Sequence, residues 1–283
     1  MSATPEFLPP TQSPPPAGGD PTRTQVSVTR WTPEGTQVID DWVAEELPVA
    51  LVYNGVPHIV MLATPAHLEE LALGFTLSEA LIDRADEITS LESSLQGDSA
   101  EVRIGIVPSK FSELLRRQRN LTGRTGCGLC GAETIEQAIR NPAAVSTGVR
   151  VPVSALHAAL QSLPPLQALN SSTGSIHGAA WVDANHKIQL VREDVGRHNA
   201  LDKCIGASIH RKLALHTGYA IITSRASYEM VQKAATVGIT MLVAVSAPTA
   251  MAIRLAQRAG MTLVGFARAD RHVVYSHPER LYE

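Results

Sequence analysis

Between Lys187 and Phe266 the sequence alternates short apolar runs with helical periodicity, and no other feature restricts the fold as much. Lys187–Val191, Tyr219–Thr223, Met241–Val245 and Thr262–Phe266 read as strands. Helices are expected from Gly196 to Lys212, from Ser227 to Val237 and from Thr249 to Ala259. Strand and helix with short links predict parallel strands joined by crossover helices, an α/β unit. In such a sheet, ligands gather where strands give way to helices. The four junctions are Arg192–Asn199, Ser224–Ser227, Ser246–Thr249 and Ala267–Arg271, and they should share one rim. Arg192, Arg197, Arg225 and Arg268 with helix N-termini and hydroxyls suit a phosphate-rich ligand. The plainer reading makes Asp194, Ser227 and Thr249 helix caps.

The N-terminal part reads differently. Residues 1–22, rich in Pro, Ser, Thr and Gly, are expected to be a disordered tail. Thr24 to Leu62 is strand-like and contains the turn signal Asn54-Gly55. A helix should follow Pro65, with Leu68, Leu71, Ala72 and Phe75 on one face. Strands near Glu87–Leu91 and Glu101–Val107 and a basic helix through Leu114–Arg117 complete this part. The resulting division is 1–22 tail, 23–120 smaller α+β part, 121–131 loop and 132–283 α/β domain.

The loop Leu121–Gly131 holds four glycines in eleven residues and the Cys127-Gly128-Leu129-Cys130 motif. That glycine density disfavours helix and strand and suits an exposed, mobile segment. A helix should resume near Ala132 and run to Arg140. The thiolate is the reactive form of cysteine, and a nearby cation such as Arg124, or a following helix N-terminus, favours it. Several uses remain open: a sulfur carrier, a thioredoxin-like dithiol, or a buried inert pair. A structural zinc site needs two more Cys or His ligands, and no second Cys-x-x-Cys exists. Cys204 falls on the stripe Ala200, Leu201, Cys204, Ile205, Ser208, Ile209 and reads as core. His177 follows a turn; histidines at such places are more often structural than catalytic.

Composition narrows the function classes. With three cysteines in 283 residues there is no disulfide framework, and a net charge of −3 does not favour a general nucleic-acid binder. The most apolar stretch, Thr240–Ile253, is interrupted by Ser246 and Pro248 and is too short to span a bilayer. No signal-like segment opens the chain, so a reducing cytoplasm is the expected setting.

Arg124–Gly131, Arg192–Lys203, Ser227–Lys233 and Ser246–Thr249 together resemble the signature blocks of the formate dehydrogenase accessory sulfurtransferase family. The resemblance runs from about Arg30 to the C-terminus. It implies a cytidine deaminase-like three-layer α/β/α sandwich preceded by a smaller part, assembled as a homodimer. It also implies an activity: persulfide sulfur is accepted from a cysteine desulfurase and passed to a molybdenum cofactor carrying two molybdopterin guanine dinucleotides, for insertion into formate dehydrogenase. By position Cys127 corresponds to the persulfide-bearing cysteine and Cys130 to its supporting partner. Phe266, Ala267, Arg268, Ala269, Asp270 and Arg271 correspond to the cofactor-binding segment, with Arg197, His198, Ser224 and Arg225 as further candidates. No tightly bound structural metal is expected. Ser175 and Ser224 depart from the small residue or glycine usual at those places, which touches geometry rather than sulfur chemistry. The alternative from another class is a cofactor-binding chaperone that transfers no sulfur. A nucleotide deaminase needs a Glu two residues after a metal-binding His, and His177 is followed by Gly178 and Ala179.

Overall fold

A computed structural model describes residues 20–119 and 142–283. Cys127, Cys130, their glycine-rich loop, the helix expected over 132–140 and most of the tail lie outside the described residues.

The strand-like stretch from Thr24 to Leu62 forms four strands. β1 (Arg23–Thr32) and β2 (Gly35–Ala44) pair antiparallel as a separate two-stranded ribbon. β3 (Leu47–Tyr53) and β4 (Val56–Ala63) form a hairpin whose turn residues Asn54 and Gly55 have φ of 47° and 82°. Two left-handed residues in succession make the primed turn that matches strand twist, as the Asn-Gly pair predicts. β5 (Ile88–Gln96) and β6 (Ser99–Ile106) complete a sheet of order β4-β3-β6-β5, with β3 and β6 parallel. α1 (Leu68–Ser78) covers its inner face, burying Leu71, Ala72 and Phe75 against Val49, Leu51, Val102 and Ile104. α2 (Pro108–Arg119) follows.

The second part holds β7 (Val151–Pro152), α3 (Val153–Ser162), α4 (Ala168–Thr173), β8 (His177–Val182) and β9 (Ile188–Asp194). Then come α5 (Arg197–His210), β10 (Tyr219–Ile222), α6 (Tyr228–Thr236), β11 (Met241–Ala244), α7 (Ala250–Arg258), β12 (Thr262–Gly265), β13 (Val273–Ser276) and β14 (Leu281–Tyr282). Six of the strands form one sheet, in the order β13-β12-β11-β10-β8-β9. β10, β11 and β12 are parallel, as expected, whereas β8 runs antiparallel to both β10 and β9, and β13 to β12. The sheet is therefore mixed. β8 separates β9 from β10, two strands that the sequence pattern would place side by side.

Alternation sorts the side chains of this sheet onto two faces. Ala179, Trp181, Ala220, Ile222, Leu242 and Leu263 pack under α5, α6 and α7. Ala180, Val182, Ile221, Val243 and Val264 pack against Leu156, Ala159 and Leu160 of α3. Helices thus cover both faces, giving three α/β/α layers of the mixed α/β class. The N-terminal sheet joins this body through α1, which crosses α5 at two glycines. A Cβ on Gly74 would lie 1.8 Å from the Asp202 carbonyl oxygen, and one on Gly206 1.9 Å from that of Glu70. Only glycine lets the two helix backbones approach this closely.

Candidate functional site

β9, β10, β11 and β12 point the same way, so their C-terminal ends and the N-termini of α5, α6 and α7 share one rim of the sheet. β8 and β13 start there. From β9 to β12 the rim covers four strand spacings, about 19 Å. Backbone bonds lace its loops together. Thr223 N donates to Gly178 O, Thr249 N to Ala226 O and Phe266 N to Ser246 O, at 3.0–3.1 Å. Ala226 and Pro248 also form a parallel bridge.

Phe266–Arg271 occupies the β12 end. Phe266 has φ of 51° and is about half exposed, while Ala267 is buried. Arg268 N donates to Arg271 O at 2.8 Å, and its guanidinium donates to the carbonyls of Val245 and Ala267. Ala269, Asp270 and Arg271 are exposed, with Arg271 Nη1 3.4 Å from Asp270 Oδ2. In the middle, Ser224 is buried, its hydroxyl donating to Arg225 O at 3.1 Å, and Arg225 faces solvent.

Arg197 and His198 occupy the β9 end, in the first turn of α5. His198 Nε2 lies 2.6 Å from Glu229 Oε2, which ties the first turn of α5 to that of α6. Burial raises the Glu229 carboxyl, but the His198 hydrogen bond and the charges of His198, Arg197 and Lys233 outweigh it and hold the group below its ordinary value. His177, first in β8 and paired with Asp194 of β9, belongs to the same cluster. Burial lowers its imidazole first, and Arg197 and His198 lower it further, against Asp194. At neutral pH His177 is therefore an uncharged ring with no side-chain partner among the described residues.

The cap reading separates the hydroxyls. Thr249 Oγ1 accepts from Ala252 N at 3.2 Å and caps α7. Ser227 holds the matching place before α6 but makes no capping bond; its Oγ is buried and unpartnered, as is Nε of Arg197. Asp194 is a hub rather than a cap. Fully buried, it pairs with Lys203 Nζ at 2.6 Å and accepts from Gly196 N, Thr64 N and Asn199 Nδ2. Lys203 also donates to Thr64 O.

One expected rim residue is elsewhere. Arg192 does not join the other arginines, because β9 runs on to Asp194 and Arg192 forms a two-pronged pair with Glu70 of α1. Cys204 is core, its thiol pushed up by burial to about 12. Sequence reasoning missed Glu229 and Lys203; their signal was a charge in the first two turns of a helix that opens on the rim. Among the described residues no group of three or more His, Cys, Asp or Glu is placed to hold a metal ion. No helix among them is long and apolar enough to cross a membrane.

Residues 44–282 match the model of the FdhD/NarQ family. A relative from Cupriavidus necator, named sulfur carrier protein FdhD, is 49% identical over 270 residues, covering 94% of each chain. One of the same name from Xanthomonas euvesicatoria is 51% identical over 245 residues, covering 86% of each. A crystal structure from Desulfotalea psychrophila, described provisionally as a formate dehydrogenase accessory protein, superposes with a TM-score of 0.73. It is 25% identical, and the match covers 93% of this chain and all of that one.

Proposed function

The chain belongs to the FdhD/NarQ family, and on that footing we propose that it is a sulfurtransferase of formate dehydrogenase maturation, working through a persulfide on Cys127. The observation that carries this reading is near-50% identity, over most of the chain, to relatives named as sulfur carriers. The Cys127 thiolate attacks the outer sulfur of a cysteine desulfurase persulfide. The new S–S bond forms as the old one breaks, and the donor leaves as a thiolate with no net oxidation. The chemistry is that of thiol–disulfide exchange, with the rate set by thiolate fraction and access. Cys130 then attacks Cys127, closing a disulfide and freeing the carried sulfur as hydrosulfide.

The acceptor is the molybdenum cofactor with two guanine dinucleotides, bound as substrate. The rim supports this choice in two ways. Its length of about 19 Å suits an extended ligand, and its helix N-termini with Arg197, Arg225 and Arg268 suit phosphates. Phe266–Arg271 holds one end of the ligand, and Arg197, His198, Ser224 and Arg225 line the remainder. Work in the cytoplasm as a homodimer, delivering to formate dehydrogenase, belongs to the same proposal.

Mass spectrometry after incubation with a cysteine desulfurase and cysteine tests the first step. Wild type gains 32 Da per sulfur, about the mass of one sulfur atom, and Cys127→Ala does not. Full labelling of Cys127→Ala sinks the assignment. A double cysteine variant that still activates formate dehydrogenase favours a chaperone over a sulfurtransferase.

A further inference from the structure

Two buried polar atoms at the β9 end of the rim lack a partner among the described residues, and a neutral imidazole lies in the same cluster. Among the described residues Ser227 Oγ and Arg197 Nε are buried without hydrogen bonds, and the half-buried imidazole of His177 lies close enough to feel the charges of Arg197 and His198. Unsatisfied buried donors are costly, and a native fold retains them where something else satisfies them. These three belong to one cluster. The His198–Glu229 contact draws together the first turns of α5 and α6, which carry Arg197 and follow Ser227. His177 opens β8, the strand that lies between β9 and β10, from which α5 and α6 depart. The first-turn N–H groups of two helices, of 14 and 9 residues, face the same end of the sheet. Among the described residues Glu229 pairs with His198 and Asp194 with Lys203, and Arg197 makes no ion pair, although its charge also acts on Glu229.

We infer that His177, Arg197 and Ser227 form an oxyanion subsite for one phosphate-like dianion, separate from the Phe266–Arg271 segment. Ser227 donates its hydroxyl and Arg197 its Nε–H. His177 becomes a donor at both ring nitrogens by taking up a proton as the anion binds. The charged groups around His177 are Asp194 of β9, Arg197 and His198 of α5 and, through His198, Glu229 of α6. Burial first, and then the cationic neighbours, favour the neutral ring, and a bound dianion opposes both. Anion affinity therefore rises as pH falls through the titration of the His177 ring, by up to about tenfold per unit for one coupled proton.

Inorganic sulfate is the probe, since it stays a dianion across this range. In the full chain, the His177 ring C–H resonance is identified by its loss in His177→Gln and titrated with pH in chloride and in sulfate at matched ionic strength. Sulfate raises its midpoint by at least about half a pH unit in wild type, the shift that a dianion binding the protonated ring produces. Ser227→Ala weakens sulfate by about tenfold, the loss of one hydrogen bond to a charged group, and Arg197→Gln removes the effect. The other nine histidine resonances report that the variants are folded. A midpoint identical in chloride and sulfate overturns the subsite, as does an unchanged response in both variants. The inference depends on the cofactor reading only for the ligand's identity. Variants that lose the sulfate response yet fully activate formate dehydrogenase leave the subsite standing and unseat the cofactor there.

Discussion

Lys203 and Asp194 are fully buried partners, and Lys233 with Asp202 repeats the arrangement one helix away, aided by Ser78 and Glu79. A buried pair contributes little beyond an apolar substitute, yet breaking one side is costly because the other charge stays behind. Lys203→Met should therefore destabilise by about 3–5 kcal/mol, measured by urea unfolding. Adding Asp194→Asn should restore part of that loss. A single-variant cost under about 1 kcal/mol would contradict the picture. At this scale, legibility depended on whether a role was local. Cys204 was readable as core from its helical stripe, and Thr249 as a cap from its position. Ser227 holds the same kind of position and caps nothing. Arg192 was read as a rim residue because its partner Glu70 lies 122 residues away, a distance that no local pattern spans.

The crossing of α1 over α5 at Gly74 and Gly206 decides how the two halves meet. Alanine for glycine inside a free helix gains up to about 1 kcal/mol. Here the sign should reverse, because the new Cβ meets the Glu70 backbone, and overpacking costs about 1–3 kcal/mol. A thermal scan of Gly206→Ala should show a lower Tm, and a raised Tm would mean that the helices are free to separate. The β10-α6-β11-α7-β12 run was legible because each element is a short apolar block with a clear break. β8 escaped the pattern argument: Ala179–Val182 is a plain apolar run, and its insertion between β9 and β10 is a long-range pairing. The β1–β2 ribbon shows the opposite limit. Its strands alternate well, yet Trp31, Val38, Trp42 and Val43 remain exposed, so alternation marked strands without marking a core.

Across the whole molecule, the ion pair between Glu70 and Arg192 also joins the two halves, beside the glycine crossing. Burial raises Glu70, but its hydrogen bond to Arg192 and the charges of Arg192, His67 and His210 prevail and hold it below 4.5. Its stabilising share is present above that value and is lost as pH falls through the folded-state value. Urea midpoints of wild type should drop as pH falls below 4.5, and Glu70→Gln should flatten part of that fall. Parallel curves for the two proteins would remove Glu70 from the account. The mixed α/β class and the rim could be read from the sequence because strand direction follows from short crossovers. The Cys127–Cys130 loop could be read only as a motif, since glycine-rich spacing states what a segment avoids rather than where it sits. The lacing of the rim, from Gly178 through Thr223 and from Ala226 through Pro248 to Ser246 and Phe266, has a thermodynamic consequence. Its loops are already fixed before any guest arrives, so little chain entropy is lost on docking. Association should then proceed at a rate set by encounter and charge rather than by rearrangement of the receiving surface.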